Sequence, residues 1–258
     1  MHRFTGMLAT SMLAGLALFA TGTAASGDYD RAAACDLSIA LILETESSPS
    51  EQAIALEQLV YECAGTGLYE ARLGVAYILI GRLEEAERLL QKSLETTTGF
   101  ERELKWVLAD VFYLQSRGDE AETVARELIA KHPDWPGGYT ALAKALLVTD
   151  DLEGVVSAAE MSNLLYEDAG NYLLLTMAHF NLGNYPESAQ AMQTSLRMDM
   201  SGLTVTDAVA SGALSLLVLG DYEAGWEMLQ KHVELVPEAI DSPNYQHALQ
   251  HFERAAQE

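Results

Sequence analysis

The sequence predicts an all-α protein in which antiparallel helix hairpins stack one on the next as an α-solenoid. Two observations predict this fold. A pattern of bulky and small residues recurs five times with a period close to 34 residues, and glycine interrupts four of the five copies where a hairpin turn would lie. A helix hairpin of this length cannot bury its own apolar face, so successive copies must stack to form a core.

Small residues at two fixed positions mark the places where neighbouring helices approach each other. The first position is held by Gly74, Ala109, Ala143, Thr176 and Ala213. The second is held by Ala86, Ala121, Val155, Ser188 and Gly225, at intervals of 35, 34, 33 and 37 residues. Short side chains at these positions let helix backbones come close, as native packing density requires.

The turn within each hairpin is the next predicted element. Four copies place a glycine in or beside it, namely Gly81, Gly118, Gly183 and Gly220. A positive φ is expected at these glycines, because glycine adopts it without steric cost. The third copy departs from the pattern and has Asp150 and Asp151 there.

In its period, its small residues and turn strings such as Gly81 to Ala86, this pattern resembles the tetratricopeptide repeat (TPR) family. The resemblance covers residues 67–240 and implies a right-handed α-solenoid of about five TPR units. Terminal units of such arrays are atypical. We therefore expect a degenerate N-terminal hairpin at 28–66 and a C-terminal capping helix at 241–258.

The N-terminus has the features of a secretory signal peptide, predicted to span residues 1–25. Arg3 supplies a positive charge, Met7 to Ala20 is an apolar run, and small residues lead to a cleavage site near Ala25. The run is too short for a standard membrane span, although an uncleaved anchor is the alternative. Cleavage predicts a periplasmic or secreted protein with no membrane span.

The only two cysteines, Cys35 and Cys63, are predicted to form a disulfide. An even number of cysteines in an exported chain favours a disulfide. Cys35 lies near the start of one predicted helix and Cys63 near the end of the next, and an antiparallel hairpin brings those ends together. The alternative is two buried free thiols.

The charge balance is strongly acidic, with 15 basic and 38 acidic residues and a formal net charge of −23. Nucleic-acid binding requires basic faces that neutralise phosphates, so this class is excluded. Anionic membrane surfaces would repel the chain. The acidity favours a protein or peptide partner that carries basic residues.

The resemblance implies a concave groove lined by the first helix of each hairpin. The residues predicted to bind a partner there are Trp106, Asp110, Tyr113, Lys144, Leu147, Met177, Phe180, Asn181, Leu214 and Leu217. The set is unusually apolar for a face that meets water, and a contiguous exposed apolar patch commonly marks a partner site. The alternative is that these side chains are partly buried or are covered by a terminal helix.

No motif predicts a cofactor, a metal site or catalysis. His247 and His251 are four residues apart on the last predicted helix, but the zinc-protease pattern needs glutamate where Ala248 stands, and no third ligand is evident. Neither a Gly-rich phosphate loop nor a nucleophile elbow is present. An enzyme is therefore not expected.

Two functional interpretations follow from the sequence. The first is a non-enzymatic protein–protein interaction scaffold or adaptor in the cell envelope, which binds a partner segment in its apolar groove. The alternative is a dedicated accessory subunit of an envelope enzyme, secretion or assembly complex. A repeat fold of this kind does not by itself identify the partner.

Overall fold

The computed structural model describes residues 68–96, 99–198 and 205–257, together with positions 51, 54, 55 and 57–59. The predicted signal peptide and both cysteines lie outside the described residues, so these predictions stay open. The chain divides into two compact units, residues 1–128 and 129–258.

The described part of unit 1 consists of helix hairpins, as predicted. Its helices are α1 (Leu68–Leu79), α2 (Leu83–Thr96), α3 (Glu101–Leu114) and α4 (Gly118–Lys131), the last of which contains the boundary of the unit. Helix α1 packs against α2, and α3 packs against both. An ion pair of 2.8 Å between Lys105 Nζ and Glu127 Oε2 joins α3 to α4.

Unit 2 continues the same pattern with three further hairpins and a last helix. Its helices are α5 (Pro136–Val148), α6 (Leu152–Leu165), α7 (Ala169–Asn181), α8 (Tyr185–Ser195), α9 (Thr206–Val218), α10 (Tyr222–Leu235) and α11 (Pro243–Ala255), with a 3-10 helix at Pro237–Asp241. Each hairpin packs on the next, through α6 with α7 and α8 with α9, so the predicted stack is confirmed within this unit. None of the described helices is both long and apolar enough to cross a membrane.

Small residues bring the helices together where the sequence predicted close approach. A Cβ atom added to Gly225 would lie 2.5 Å from Cζ of Phe252 and 2.9 Å from the carbonyl oxygen of Ala213. In the preceding hairpin the buried hydroxyl of Ser188 donates to the carbonyl oxygen of Thr176 at 2.8 Å. Different small residues therefore serve the same helix–helix contact in different repeats.

The hairpin turns share one backbone geometry. The residue with positive φ is Gly81, Ser116, Asp150, Gly183 or Gly220. In each turn the next N–H donates to the carbonyl oxygen five residues earlier, as in a Schellman motif. The prediction of positive φ at Gly118 was wrong, because Gly118 is the first residue of α4 and Ser116 occupies the left-handed position.

Helix α11 ends the described chain as the predicted capping helix. The hydroxyl of Ser242 accepts from the N–H of Tyr245 at its start. Tyr245 and Phe252 are fully buried, and the Tyr245 hydroxyl donates to the carbonyl oxygen of Leu229 at 2.5 Å. His247 and His251 lie on the opposite, exposed face, with ring centroids 4.6 Å apart.

Candidate functional site

The first helices of the three hairpins in unit 2 form one face. Helix α7 packs against both α5 and α9, so equivalent positions on the three helices are neighbours. Leu147, Phe180 and Leu217 hold one such position, near the carboxyl end of each helix. All three side chains are half-buried, so this row is a partly exposed apolar surface.

Two further rows flank these residues. Three residues earlier on each helix are Lys144, Met177 and Leu214, of which Met177 is half-buried while the other two are buried. One residue later on α7 and α9 are Asn181 and Val218, which are exposed. The accessible part of the face therefore consists mainly of Leu147, Met177, Phe180, Leu217 and Val218, which we call the first-helix face.

The turn that follows α7 fixes the position of Phe180. The rings of Phe180 and Tyr185 meet edge to face with their centroids 5.9 Å apart. The side-chain amide of Asn181 donates to the carbonyl oxygen of Met177 at 3.0 Å. The Asn181 side chain therefore folds back onto its own helix, and the half-buried ring of Phe180 is the larger side chain on this part of the surface.

The remaining residues of the predicted groove lie on α3 in unit 1. Trp106 is half-buried, whereas Asp110 and Tyr113 are buried. The sequence pattern places these residues on the same helix face but does not show how deeply each one lies. Their role in partner binding stays a prediction.

Unit 2 carries a large excess of negative charge. Residues 129–258 contain 18 acidic residues and five basic ones, which are Lys131, Lys144, Arg197, Lys231 and Arg254. Between residues 145 and 196 there are seven carboxylates and neither lysine nor arginine. A cationic group is attracted to such a surface, and the attraction weakens as salt is added.

Solved structures share this arrangement of helices, although no protein-family model and no curated protein matches the sequence. TTC0263, a TPR protein of Thermus thermophilus, aligns with 72% of this chain and 100% of its own, with a TM-score of 0.61 and 20% identity. PilF of Pseudomonas aeruginosa aligns with 86% of this chain and 99% of its own, with a TM-score of 0.63 and 16% identity. In the APC/C hetero-tetramer Cut9–Hcn1, 39% of one chain aligns with 80% of this one, with a TM-score of 0.65 and 13% identity. The chain has the TPR fold.

The third TPR hairpin has an exposed apolar surface that the sequence analysis did not identify. Met161, Leu164, Leu165 and Tyr166, at the carboxyl end of α6, are 40%, 78%, 38% and 67% exposed. Helix α6 buries a separate stripe that includes Val155. The sequence signal for this surface is that the second helices of the other hairpins have mostly polar residues at the positions equivalent to Met161, Leu164 and Leu165.

Among the described residues, no group of three or more His, Cys, Asp or Glu side chains is placed to hold a metal ion. Burial lowers the pKa of His232, whose Nε2 lies 3.0 Å from the hydroxyl of Thr206. This histidine links α10 to the start of α9, so its role is in packing.

Proposed function

We propose that this chain is a non-enzymatic protein-binding scaffold, which holds an apolar segment of a partner protein on the first-helix face of unit 2. The observation that carries the proposal is the row of half-buried Leu147, Phe180 and Leu217 within a strongly acidic unit. Aromatic side chains dominate the binding energy of many interfaces, and Met177 can adapt to partners of varied shape. The surrounding carboxylates favour a partner with basic flanks and speed its encounter.

The second candidate function is a dedicated accessory subunit of an envelope enzyme, secretion or assembly complex. One solved structure with this fold, Cut9–Hcn1, is itself a hetero-tetramer. A dedicated subunit would bind one partner in a fixed ratio, whereas a general adaptor would bind several proteins that share only an apolar segment. Size-exclusion chromatography of the complex from its native source distinguishes them, because one discrete complex supports the second function.

The proposed place of action is the cell envelope. The basic start, the short apolar run and the small residues near Ala25 support export. Sequencing of the mature protein should give an N-terminus within a few residues of Ser26, and an intact Met1 on a cytoplasmic protein would contradict export.

The proposed disulfide has its own test. Mass spectrometry without reductant should find Cys35 joined to Cys63, while two alkylated thiols would contradict the disulfide.

Site-specific crosslinking tests the binding face directly. A photo-reactive amino acid at position 180 should crosslink a partner protein, whereas the same group at exposed Gln250 on α11 serves as the control. With the partner identified, Phe180→Ser combined with Leu217→Ser should weaken its Kd by at least about tenfold, which corresponds to about 1.4 kcal/mol. The helicity should stay unchanged, since neither side chain is fully buried.

A core variant separates binding from stability. Ala143 is fully buried at the first small position of its hairpin, so Ala143→Leu should lower the melting temperature through overpacking. If Phe180→Ser with Leu217→Ser lowers the melting temperature as much as Ala143→Leu and leaves partner binding unchanged, these residues belong to the core and the proposal fails.

A further inference from the structure

The exposed apolar residues of α6 form a surface at one end of the third hairpin. Met161, Leu164 and Leu165 are spaced three and four residues apart, so they share one face of the helix. Tyr166 follows directly, in an extended conformation that ends the helix. Isolated exposed apolar residues are common, but a contiguous group of four large ones is typical of an interaction site. We call these four residues the α6 surface.

The repeats themselves show that the fold does not require apolar residues there. Met161, Leu164 and Leu165 lie six, nine and ten residues after the second small residue of their hairpin. The equivalent residues are Lys92, Glu95 and Thr96 on α2, Glu127, Ala130 and Lys131 on α4, Thr194 on α8 with Arg197 and Met198 just after it, and Lys231, Glu234 and Leu235 on α10. Because these helices share one backbone pattern, packing does not require large apolar side chains at positions 161 and 164, where the other repeats have none. An interaction with a partner would account for them.

A buried polar cluster holds the α6 surface in place. The side-chain amide of Asn171 on α7 donates to Oγ of Ser162 at 3.0 Å and to Oδ1 of Asn163 at 3.1 Å. The hydroxyl of Thr140 on α5 donates to Oδ1 of Asn171 at 3.0 Å. The N–H of Asp168 also donates to Oδ1 of Asn163, at 3.2 Å, which fixes the loop that carries Tyr166. A surface that is already ordered loses less conformational entropy on binding.

Charge decides which occupant fits this surface. Glu160, Glu167 and Asp168 are exposed beside it, and no lysine or arginine occurs between residues 145 and 196. A second copy of the chain would bring like charges together, and an anionic lipid surface would be repelled for the same reason. A helix with an apolar stripe and flanking Lys or Arg would satisfy both the apolar centre and the acidic rim.

We propose that the α6 surface is a second docking site, which binds an amphipathic helix of another protein that carries Lys or Arg beside its apolar stripe. The site is independent of the first-helix face. The two lie near opposite ends of α7, whose 13 residues span about 20 Å at 1.5 Å per residue. The chain can therefore hold two partner segments at once.

A charge-neutral double substitution tests the site. Met161→Lys with Leu164→Glu introduces residues that Lys92 or Lys231 and Glu95 or Glu234 already hold at equivalent positions, so the variant should fold. Its melting temperature should stay within about 2 °C of the wild type, since exposed substitutions change stability little. The net charge is unchanged, so a change in the overall charge of the protein cannot account for a loss of binding.

The probe is a helical peptide of leucine and lysine, about 14 residues long and thus about 21 Å, with leucine along one stripe. Isothermal titration calorimetry on the full chain should show two sites, and the double substitution should weaken one of them at least about tenfold. Phe180→Ser with Leu217→Ser should weaken the other site and leave this one intact. Glu160→Gln with Glu167→Gln should weaken binding at the α6 surface and reduce its salt dependence.

Four outcomes would overturn the proposal. The first is that Met161→Lys with Leu164→Glu leaves the peptide affinities unchanged. The second is that a peptide with glutamate in place of lysine binds equally well. A single site that responds only to Phe180→Ser with Leu217→Ser would retain the proposed function and refute this second site. A wild-type dimer in sedimentation experiments that the double substitution converts to a monomer would assign the surface to a second copy of the chain.

Discussion

The hairpin turns of unit 1 and unit 2 have the same backbone but different side-chain chemistry. Five residues after Tyr77 and Phe112, unit 1 has Arg82 and Arg117, whose guanidinium carbons lie 4.0 Å and 4.4 Å from the ring centroids. The same position in unit 2 is held by Asp151, Asn184 and Asp221. In unit 2 the residues equivalent to the two rings are Leu146, His179 and Leu216. The arginine therefore occurs in the turns where the residue five positions earlier is tyrosine or phenylalanine.

The two chemistries stabilise the turns differently. Arg117 donates to Glu120 at 2.9 Å and to Glu87 of the previous hairpin at 2.7 Å, so it joins successive hairpins. In unit 2, Asp151 and Asp221 instead accept from the N–H groups of Gly154 and Ala224 at the start of the following helix. The Schellman geometry is thus set by the backbone, and the side chain at this position is free to vary.

The turns of the two units also differ in what happens to their carboxylates. The arginines of unit 1 pair with glutamates, whereas the aspartate caps of unit 2 add carboxylates to a unit with five basic residues. The turns of unit 1 are stabilised by ion pairs, whereas the caps of unit 2 add to its acidic surface.

The largest expected effect comes from the second small position in unit 2. Gly225→Ala places a methyl group against the buried Phe252 ring and the Ala213 carbonyl oxygen, so it should cost about 1–3 kcal/mol. In unit 1, Gly74 holds the first small position. A Cβ atom added there would lie 3.2 Å from the side chain of Leu90, and Gly74→Ala gains about 1 kcal/mol of helix propensity. Urea unfolding should therefore show a loss for Gly225→Ala and almost no change for Gly74→Ala. Equal losses would mean that the two contacts are equally tight.

The aspartate caps of unit 2 should give the next effect. Asp221→Ala removes the acceptor of the Ala224 N–H and should cost about 1 kcal/mol. Asn184 occupies the same position without a side-chain cap bond, so Asn184→Ala is the matched control and should change stability by less than about 0.5 kcal/mol. Thermal unfolding checks both variants, and a cost at Asn184 as large as that at Asp221 would contradict the role of the cap.

The arginine of unit 1 should contribute less. Arg117→Ala removes two partly exposed ion pairs and the contact with Phe112, with an expected cost of about 0.5–1 kcal/mol at low salt. Arg126, which makes a single ion pair with Glu122, is the control and should contribute about 0.3 kcal/mol. Unfolding at low and high salt measures the difference. A salt-independent cost would indicate that the ring contact, rather than the ion pairs, stabilises the turn.

The smallest expected effect is a pH dependence that differs between the units. Burial lowers the pKa of His232 below its ordinary value of 6.5, so its contribution to stability is fully present above pH 6.5 and is lost as the pH falls from 6.5 through the lowered pKa of the folded state. In unit 1, the hydrogen bond from Arg82 lowers the pKa of Glu85 below 4.5, so its contribution is lost only as the pH falls below 4.5. Melting temperatures between about pH 7.5 and about pH 5.5 should fall less in His232→Gln than in the control His251→Gln. Identical slopes would show that His232 is not responsible.

The sequence alone predicted the hairpins because their signals are local. The spacing of residues such as Ala86 and Ala121 reports helix contacts within one or two repeats, and those contacts formed as expected. The prediction of the left-handed residue succeeded at Gly81 but was wrong at Gly118, because the hydrogen bond of the Arg117 N–H places Ser116 at that position. A glycine near a turn indicates the turn more reliably than it indicates its own φ.

The candidate site required the tertiary structure, since helix periodicity shows which residues share a face but not what covers them. Phe180 and Leu217 of the predicted groove are half-buried, whereas Lys144 and Leu214 on the same helices are buried. The sequence by itself determined the repeat, the hairpins and the acidity. Only the packing of neighbouring helices decided which apolar side chains entered the core and which, like Leu164 on α6, stayed exposed.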